Sequence, residues 1–387
     1  MNEVDAVLAD ACAAGGVPGV VASVGTASGA SRIWAHGFSD VARVEPAASH
    51  DIFRVTSMAK LVTSVAIMQL VERDELDLDA GVSTVLPQFA TLEVLVGFDG
   101  DTPVLRPPAR DATVRELLAH TSGLAYSTWN PLMLRYEQVI GSPNISTGLL
   151  AALEQPLVAD PGTTIAYGAG LDWAGLIVEK LSGRPLDAYC QQKIFDPLQM
   201  RDSSMRRPEE YGRSLIPALR AVAERSWEAA TWEFPLAPEF YFGGGCFYST
   251  AGDYLRLQQA LLGNGSIGGV RILTAHAVDE MFAPQTAGLE IPPMRTAAPA
   301  DSADVDLGPG WSWGFGMTIN SHPLRTGRSA GSGAWAGIFN TSFWIDREKG
   351  VAGNLLMQFL PFRTEAALRV AEDFEAAVFN STSPTAP

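Results

Sequence analysis

The sequence predicts an α+β fold in which one antiparallel sheet is assembled from both ends of the chain and flanked by helices. Two hairpin patterns, one near each terminus, and a mostly helical middle lead to this prediction. We expect residues 1–88 and 266–387 to form a discontinuous α/β domain and residues 89–265 a mostly helical one. A chain of 387 residues suits one large unit or two closely packed ones.

The N-terminal part combines a helix, a hairpin and a second helix. In "MNEVDAVLADACAAGG" the apolar residues recur at helical spacing. The runs "GVVASVG" and "SRIWAHGFSD" then flank the turn-rich "TASGAS", a pattern typical of antiparallel strands. The following segment, "LVTSVAIMQLV", is nearly apolar all round, which indicates a buried helix.

The middle carries helix-start and helix-stop signals between loops rich in Gly and Pro. Thr113 with Glu116 has the spacing of a capping box, and Thr250 with Asp253 opens a further helix. Gly183 follows "GLDWAGLIVEKLS" and is placed to cap that helix at its C-terminus.

The C-terminal part, like the N-terminal part, has a hairpin pattern and a helix pattern. Residues 284–310 are rich in Pro, Ala and Asp without periodicity, and we interpret them as a flap. "TSFWID" and "GVAGNLLMQF" flank "REKG", a second hairpin pattern, and "RTEAALRVAEDFEAAVF" has the spacing of a closing helix.

Composition narrows the classes of function. The net charge of −16 and the pI of about 4.7 oppose binding to nucleic acids and anionic membranes. The N-terminus has no basic region typical of a signal peptide, and the most apolar stretch is too short to span a bilayer, so we expect a cytoplasmic protein. Three distant cysteines indicate neither a disulfide framework nor a metal site.

Ser57 and Lys60, in "SMAK", are the first candidate catalytic pair. Three-residue spacing puts both side chains on one helix face, where a deprotonated Lys can accept the Ser proton. A chance S-x-x-K match somewhere in the chain has a probability of about one in four, and an exposed unrelated pair is the alternative. The apolar surroundings favour the catalytic interpretation, because an unpaired Lys buried there would be costly.

Two further segments offer partners for this pair. Tyr167, at the start of a predicted helix, is a possible proton shuttle, or else a packing residue. "WAG" at 335–337 precedes a strand, and Gly337 could admit a ligand close to the backbone. The N–H of Ile338 could then join the N–H of Ser57 as an oxyanion hole, unless this is a simple strand entry.

"GRSAG", residues 327–331, is a rival nucleophile motif. The α/β-hydrolase order is Ser, acid, His, but all five histidines precede Ser329. We therefore interpret the match as a coincidence within a turn. His120 is a further candidate base, which we interpret as a turn residue.

In this order the segments resemble the serine β-lactamase and penicillin-binding-protein superfamily, and most closely the family VIII carboxylesterases related to class C β-lactamases. The resemblance implies a β-lactamase-like fold with the active site in a cleft between the sheet domain and the helical domain. It also implies Ser57 as acylated nucleophile, Lys60 and Tyr167 as its proton-transfer partners, and an oxyanion hole at Ser57 and Ile338. It implies no metal or cofactor.

Two departures from the β-lactamase pattern concern the substrate. Trp335 stands where β-lactamases usually have Lys or His, and Ala169 where they usually have Asn. Both changes remove polar groups that would hold an anionic amide. We also expect Tyr241 and Phe242 to contact substrate, within a set of nine aromatic residues of which about half should line the cleft.

The sequence thus predicts a serine carboxylesterase for small, neutral, hydrophobic acyl esters. Three alternatives remain on this scaffold: an acyltransferase, a β-lactamase or D-peptidase, and a hydrolase of small amides. A non-catalytic binding module is the alternative from another class. The physiological ester and the oligomeric state stay open.

Overall fold

The computed structural model describes residues 3–208, 215–223 and 226–382. Its α-helices are α1 (Glu3–Ala13), α2 (Ala59–Val71), α3 (Val114–Leu118), α4 (Pro131–Ile140), α5 (Gly170–Ser182), α6 (Leu186–Cys190), α7 (Asp196–Leu198), α8 (Ala251–Leu262), α9 (Ala275–Phe282) and α10 (Glu365–Thr382). Its strands are β1 (Gly19–Thr26), β2 (Ser31–Gly37), β3 (Phe53–Arg54), β4 (Val94–Asp99), β5 (Thr102–Arg106), β6 (Leu219–Ala223), β7 (Ser226–Ala229), β8 (Tyr248–Ser249), β9 (Ser266–Ile267), β10 (Val270–Arg271), β11 (Trp311–Trp313), β12 (Thr318–Asn320), β13 (Gly333–Gly337), β14 (Thr341–Asp346), β15 (Val351–Leu356) and β16 (Phe359–Leu360).

The main sheet takes strands from both ends of the chain. In the described ranges it has seven strands in the order β11-β12-β13-β14-β15-β1-β2, and all neighbours are antiparallel. Both predicted hairpins, β1–β2 and β14–β15, are present. The α+β fold class is confirmed.

Helices cover the two faces of this sheet. Side chains alternate along β1, so Val20 and Ala22 pack with α1 and α10, whereas Val21 belongs to the larger core that contains α2 and α8. Gln258 of α8 donates hydrogen bonds to the carbonyl oxygens of Trp344 (3.0 Å) and Gly353 (2.8 Å). Helix α8, which the sequence assigned to the helical part, therefore packs on the sheet. The two-domain division stays a prediction.

The helix signals of the middle are present in the structure. Thr113 and Glu116 form both bonds of a capping box at α3, and Thr250 accepts from the Asp253 amide at α8. Gly183 ends α5 with φ 67°, a left-handed conformation that glycine adopts without strain. Helix α2 contacts α5, which brings the N-terminal ends of both helices close to β13.

The segment interpreted as a flap is anchored to the protein. Met294 and Val305 pair across it, and the Ala297 amide donates to the Thr128 carbonyl at 2.7 Å. In the part of the chain that the structure describes, no helix has both the length and the apolar character needed to cross a membrane.

Candidate active site

Ser57 lies in a short 3₁₀ turn, Thr56–Met58, that leads directly into α2. Lys60, in the first turn of α2, is fully buried. Its Nζ is 3.4 Å from Ser57 Oγ, donates to the Gly244 carbonyl at 2.6 Å and lies 3.3 Å from Tyr126 Oη. The predicted buried helix is present, and its lysine has polar partners that offset the cost of burial.

Tyr167 completes the group predicted from the sequence. It precedes α5, and its phenol oxygen is 2.9 Å from Ser57 Oγ. Trp335 Nε1 donates to the same phenol oxygen at 3.1 Å, and Lys60 Nζ lies 4.8 Å from the Tyr167 ring centre. The structure therefore brings Ser57, Lys60 and Tyr167 together, with Trp335 holding the phenol in place.

Tyr126 and Asp172 belong to the same network and were missed in the sequence. Tyr126 Oη donates to Asp172 Oδ2 at 2.7 Å, and the Gly244 amide donates to Asp172 Oδ1 at 2.7 Å. Burial raises the pKa of Asp172, and the nearby Lys60 charge opposes that rise. Burial and the Asp172 carboxylate raise the pKa of Tyr126. An Asp between Leu171 and Trp173 in an apolar helix was the available sequence signal.

The predicted oxyanion donor, Ile338, already has an acceptor. Its N–H donates to Thr56 Oγ1 at 3.1 Å. Thr56 has φ +44°, a strained conformation for a β-branched residue. The role of Ile338 as an oxyanion donor therefore stays a prediction, and a substrate oxyanion would have to replace the Thr56 hydroxyl.

Gly337 lies against the turn that carries Ser57. A Cβ at this position would lie 2.3 Å from Thr56 Oγ1 and 2.5 Å from the Val55 carbonyl oxygen. The missing side chain lets β13 pack closely on the turn that carries Ser57. The closest neighbours of a Cβ here are thus protein atoms, and the expectation that Gly337 admits a ligand stays a prediction.

A cavity of about 80 Å³ opens beside Ser57. Aromatic and aliphatic side chains form much of its wall, among them Phe242 as expected, and no charged side chain of the described residues lines it. The residues are Thr56, Ser57, Tyr126, Thr128, Trp129, Asn144, Ile145, Ser146, Trp232, Phe234, Phe242, Gly244, Gly245 and Ile338.

Several residues expected at the substrate lie outside this wall. Trp335 and Ala169 do not line the cavity, and Tyr241 packs against the main core. Of the nine aromatic residues, Trp129, Trp232 and Phe242 line it, which is fewer than the predicted half.

His120 supports the turn below Tyr167. Its Nδ1 accepts a hydrogen bond from the Gly168 amide at 3.3 Å, and its ring centre lies 4.7 Å from that of Tyr167. Burial and the Lys60 charge hold the pKa of His120 well below its usual value, so the ring is neutral at pH 7. Its Nδ1 lone pair is engaged, which places the ring proton on Nε2.

The rival motif forms a turn before β13. The Ser329 amide donates to Asp346 Oδ2 at 2.8 Å, and the Ser329 carbonyl accepts from Asn320 at 2.9 Å. Within the described ranges no histidine forms a hydrogen bond with Ser329. The structure thus supports interpreting "GRSAG" as a structural turn.

A serine in contact with a buried lysine and a tyrosine, beside a small and largely apolar cavity, is the arrangement of a serine enzyme of the hydrolase and acyltransferase class. The model of the Beta-lactamase family matches residues 4–377, and the chain belongs to that family.

Similar proteins include both transferases and an esterase. Acyltransferase calJ of Penicillium decumbens is 29% identical over 82% of this chain and 78% of its own length. The lovastatin esterase of Penicillium rubens is 29% identical over 88% of each chain. The structure of simvastatin synthase (LovD) from Aspergillus terreus, LovD6 mutant, is 28% identical with a TM-score of 0.84 and covers 98% of this chain and 96% of its own.

Proposed function

We propose that this protein is a serine carboxylesterase that cleaves small, neutral, hydrophobic acyl esters through an acyl-enzyme on Ser57. The observation that carries the proposal is the cavity beside Ser57, whose described wall is largely aromatic and aliphatic, with uncharged polar groups and no charged side chain. A carboxylate entering such a wall would lose its hydration without gaining an ionic partner. An uncharged acyl group loses little hydration on entering this cavity. The cavity volume of about 80 Å³ favours a short acyl chain.

The contacts around Ser57 support the first step. Ser57 Oγ attacks the ester carbonyl carbon, and its proton passes to Tyr167 as the phenolate or to Lys60 as the neutral amine, which lie 2.9 and 3.4 Å away. The resulting oxyanion takes the N–H groups of Ser57 and Ile338, displacing the Thr56 hydroxyl. The alcohol leaves with the transferred proton.

In the second step water attacks the acyl-enzyme and regenerates Ser57. The same two groups accept the proton of the water and return one to Ser57 Oγ. The distances favour Tyr167 as the direct base and Lys60 as the cation that stabilises it. Both groups contact the nucleophile in one arrangement, which a non-catalytic binding module would have no reason to maintain.

Two positions separate ester from β-lactam or peptide substrates. The indole N–H of Trp335 is engaged by Tyr167, and Ala169 supplies no side-chain hydrogen bond. Neither replaces the groups that would hold an anionic amide. These observations favour an ester over a penicillin, a D-peptide or a small amide.

Acyl transfer is the second candidate. It differs from hydrolysis only in the second step, where an acceptor hydroxyl replaces water. Acyltransferase calJ, by its name an acyl-transferring protein, favours this candidate. The lovastatin esterase favours hydrolysis.

The test compares the wild-type protein with Ser57→Ala and Ser329→Ala on p-nitrophenyl butyrate and on a chromogenic cephalosporin. We expect ester turnover in the wild type and in Ser329→Ala and none above background in Ser57→Ala. Undiminished turnover in Ser57→Ala would refute the proposal. Rapid cephalosporin hydrolysis without ester hydrolysis would replace it with β-lactamase activity. Addition of an acceptor alcohol, with chromatography of the products, separates transfer from hydrolysis.

A further inference from the structure

A second cavity, called here the back cavity, lies along β13 and shares no lining residue with the cavity beside Ser57. Its volume is about 590 Å³, and it is bordered by the sheet with Trp335, by α10 and by the loops around residues 305 and 325. Ala334 and Ala336 of β13 line it. Their small side chains leave space between the sheet and α10 that larger residues would fill.

Most of the wall of this back cavity is apolar. Val305, Leu307, Trp311, Phe362 and Phe374 contribute to it. A cavity of this size and character accommodates an aliphatic or aromatic body of several carbon atoms. Apolar contacts alone would not select among such molecules.

The positively charged side chains that line the cavity outnumber the negatively charged ones. Arg325 is paired with Glu372, and Arg328 Nε lies 3.4 Å from Glu375 Oε1. Arg363 also lines the cavity, yet its guanidinium makes no hydrogen bond or ion pair with any described residue. One cation therefore remains without a direct partner.

The lack of a direct partner is unusual for Arg363 because its side chain is partly buried. The side chain is half-buried, its Nε is shielded from solvent without a hydrogen-bond acceptor, and burial lowers the pKa of its guanidinium. Glu372 and Asp306 lie close enough to stabilise its charge, without reaching contact distance. A guanidinium has five donors in a planar fork that matches a carboxylate.

We propose that the back cavity binds an amphipathic monocarboxylate, whose carboxylate pairs with Arg363 and whose apolar body fills the space between the sheet and α10. This site is separate from the cavity beside Ser57, because the two cavities share no lining residue. The proposal does not depend on the reaction catalysed at Ser57.

Octanoate is a suitable probe, and isothermal titration calorimetry measures its binding. Arg363→Gln keeps a polar side chain of similar length but removes the charge, and we expect it to weaken binding about tenfold or more. Arg325→Gln is the matched control, since that arginine is exposed and already paired. Ala371→Phe, which fills the cavity from α10, should also weaken binding, and uncharged 1-octanol should bind more weakly than octanoate to the wild type.

A second control distinguishes the two cavities. Ser146→Phe narrows the space beside Ser57 and should leave octanoate affinity unchanged. Far-ultraviolet circular dichroism of each variant verifies the fold. Absence of octanoate binding to the wild type overturns the proposal. Equal affinity of Arg363→Gln and Arg325→Gln, or loss of binding only in Ser146→Phe, does so as well.

Discussion

The phenol oxygen of Tyr167 lies 2.9 Å from Ser57 Oγ, closer than the 3.4 Å that separates this hydroxyl from Lys60 Nζ. Trp335 restrains the phenol through its indole N–H, and Trp313 stacks on the ring with an interplanar angle of 10°. Tyr167 is therefore restrained on two sides, and its oxygen lies closer to Ser57 Oγ than the Lys60 amine does.

Tyr167→Phe should lower kcat for p-nitrophenyl butyrate by about 10²–10⁴-fold, the usual contribution of a positioned proton-transfer group. The control is Tyr126→Phe, which keeps its ring near Lys60 but loses the hydrogen bond to Asp172. We expect a smaller loss there, measured as kcat and KM separately. A larger loss of kcat in Tyr126→Phe than in Tyr167→Phe would indicate that Tyr126, and not Tyr167, transfers the proton.

His120→Asn should reduce kcat by less than about tenfold, because neither ring nitrogen of the neutral His120 offers a free lone pair to Ser57. Asn tolerates the φ of +58° at this position and keeps an acceptor for the Gly168 amide. We compare kcat of His120→Asn with kcat of Tyr167→Phe by steady-state kinetics at pH 7. A loss as large as that of the Tyr167 variant would contradict the turn-supporting role.

Gly337→Ala should reduce kcat/KM by about 10²-fold, since its Cβ would push Thr56 and the Ser57 turn away from β13. Gly29→Ala provides a control in the β1–β2 turn, where φ is +90° and no atom lies within 4 Å. Gly29→Ala strains the backbone but does not touch the site. Thermal denaturation and ester kinetics of both variants therefore distinguish the effect of backbone strain from the effect of displacing the Ser57 turn. Wild-type kinetics in Gly337→Ala would show that the close packing is dispensable.

The contribution of Asp253 to the stability of the protein should fall as the pH rises from about 4 to 7. Burial raises the pKa of Asp253 from 3.8 to about 6, so the folded state binds more protons than the unfolded state in this window. Stability contributed by the protonated form is complete below pH about 4 and is lost as the pH rises through about 6.

Asp253→Asn should flatten this part of the stability curve by up to about 2 kcal/mol, measured by urea denaturation at pH 4.5 and 7.5. The control is Asp304→Asn. Arg295 holds the pKa of Asp304 below its usual value, so its contribution has the opposite pH dependence. An unchanged slope in Asp253→Asn would assign the pH dependence to other groups.

Local patterns were sufficient for the hairpins, the capped helices and "SMAK", because each depends on residues close together in the chain. Tyr126 and Asp172 were not predictable in this way. They are 46 residues apart and meet only when the segment before α4 folds against α5. The Ile338–Thr56 bond joins residues 282 apart, so the sequence could suggest a donor but not its occupant.

Gly337 illustrates a different limit of prediction from the sequence. A glycine beside a nucleophile suggests that a ligand approaches closely, but the sequence does not show which atoms fill the space. The unpaired Arg363 is equally invisible, because it follows from the partners that Arg325 and Arg328 find on α10. Both depend on packing between distant segments.

Strand β13 lies beside both the reactive groups and the back cavity, and its side chains alternate along the strand. The Trp335 indole contacts Tyr167 and Gly337 packs on the Ser57 turn, whereas Ala334 and Ala336 line the back cavity, which Trp335 also borders. Substitutions at positions 334 and 336 can therefore reshape one compartment while the reactive groups keep their places. Two alanines of a five-residue strand thus offer a surface for redesign that is distinct from the contacts at Tyr167 and the Ser57 turn.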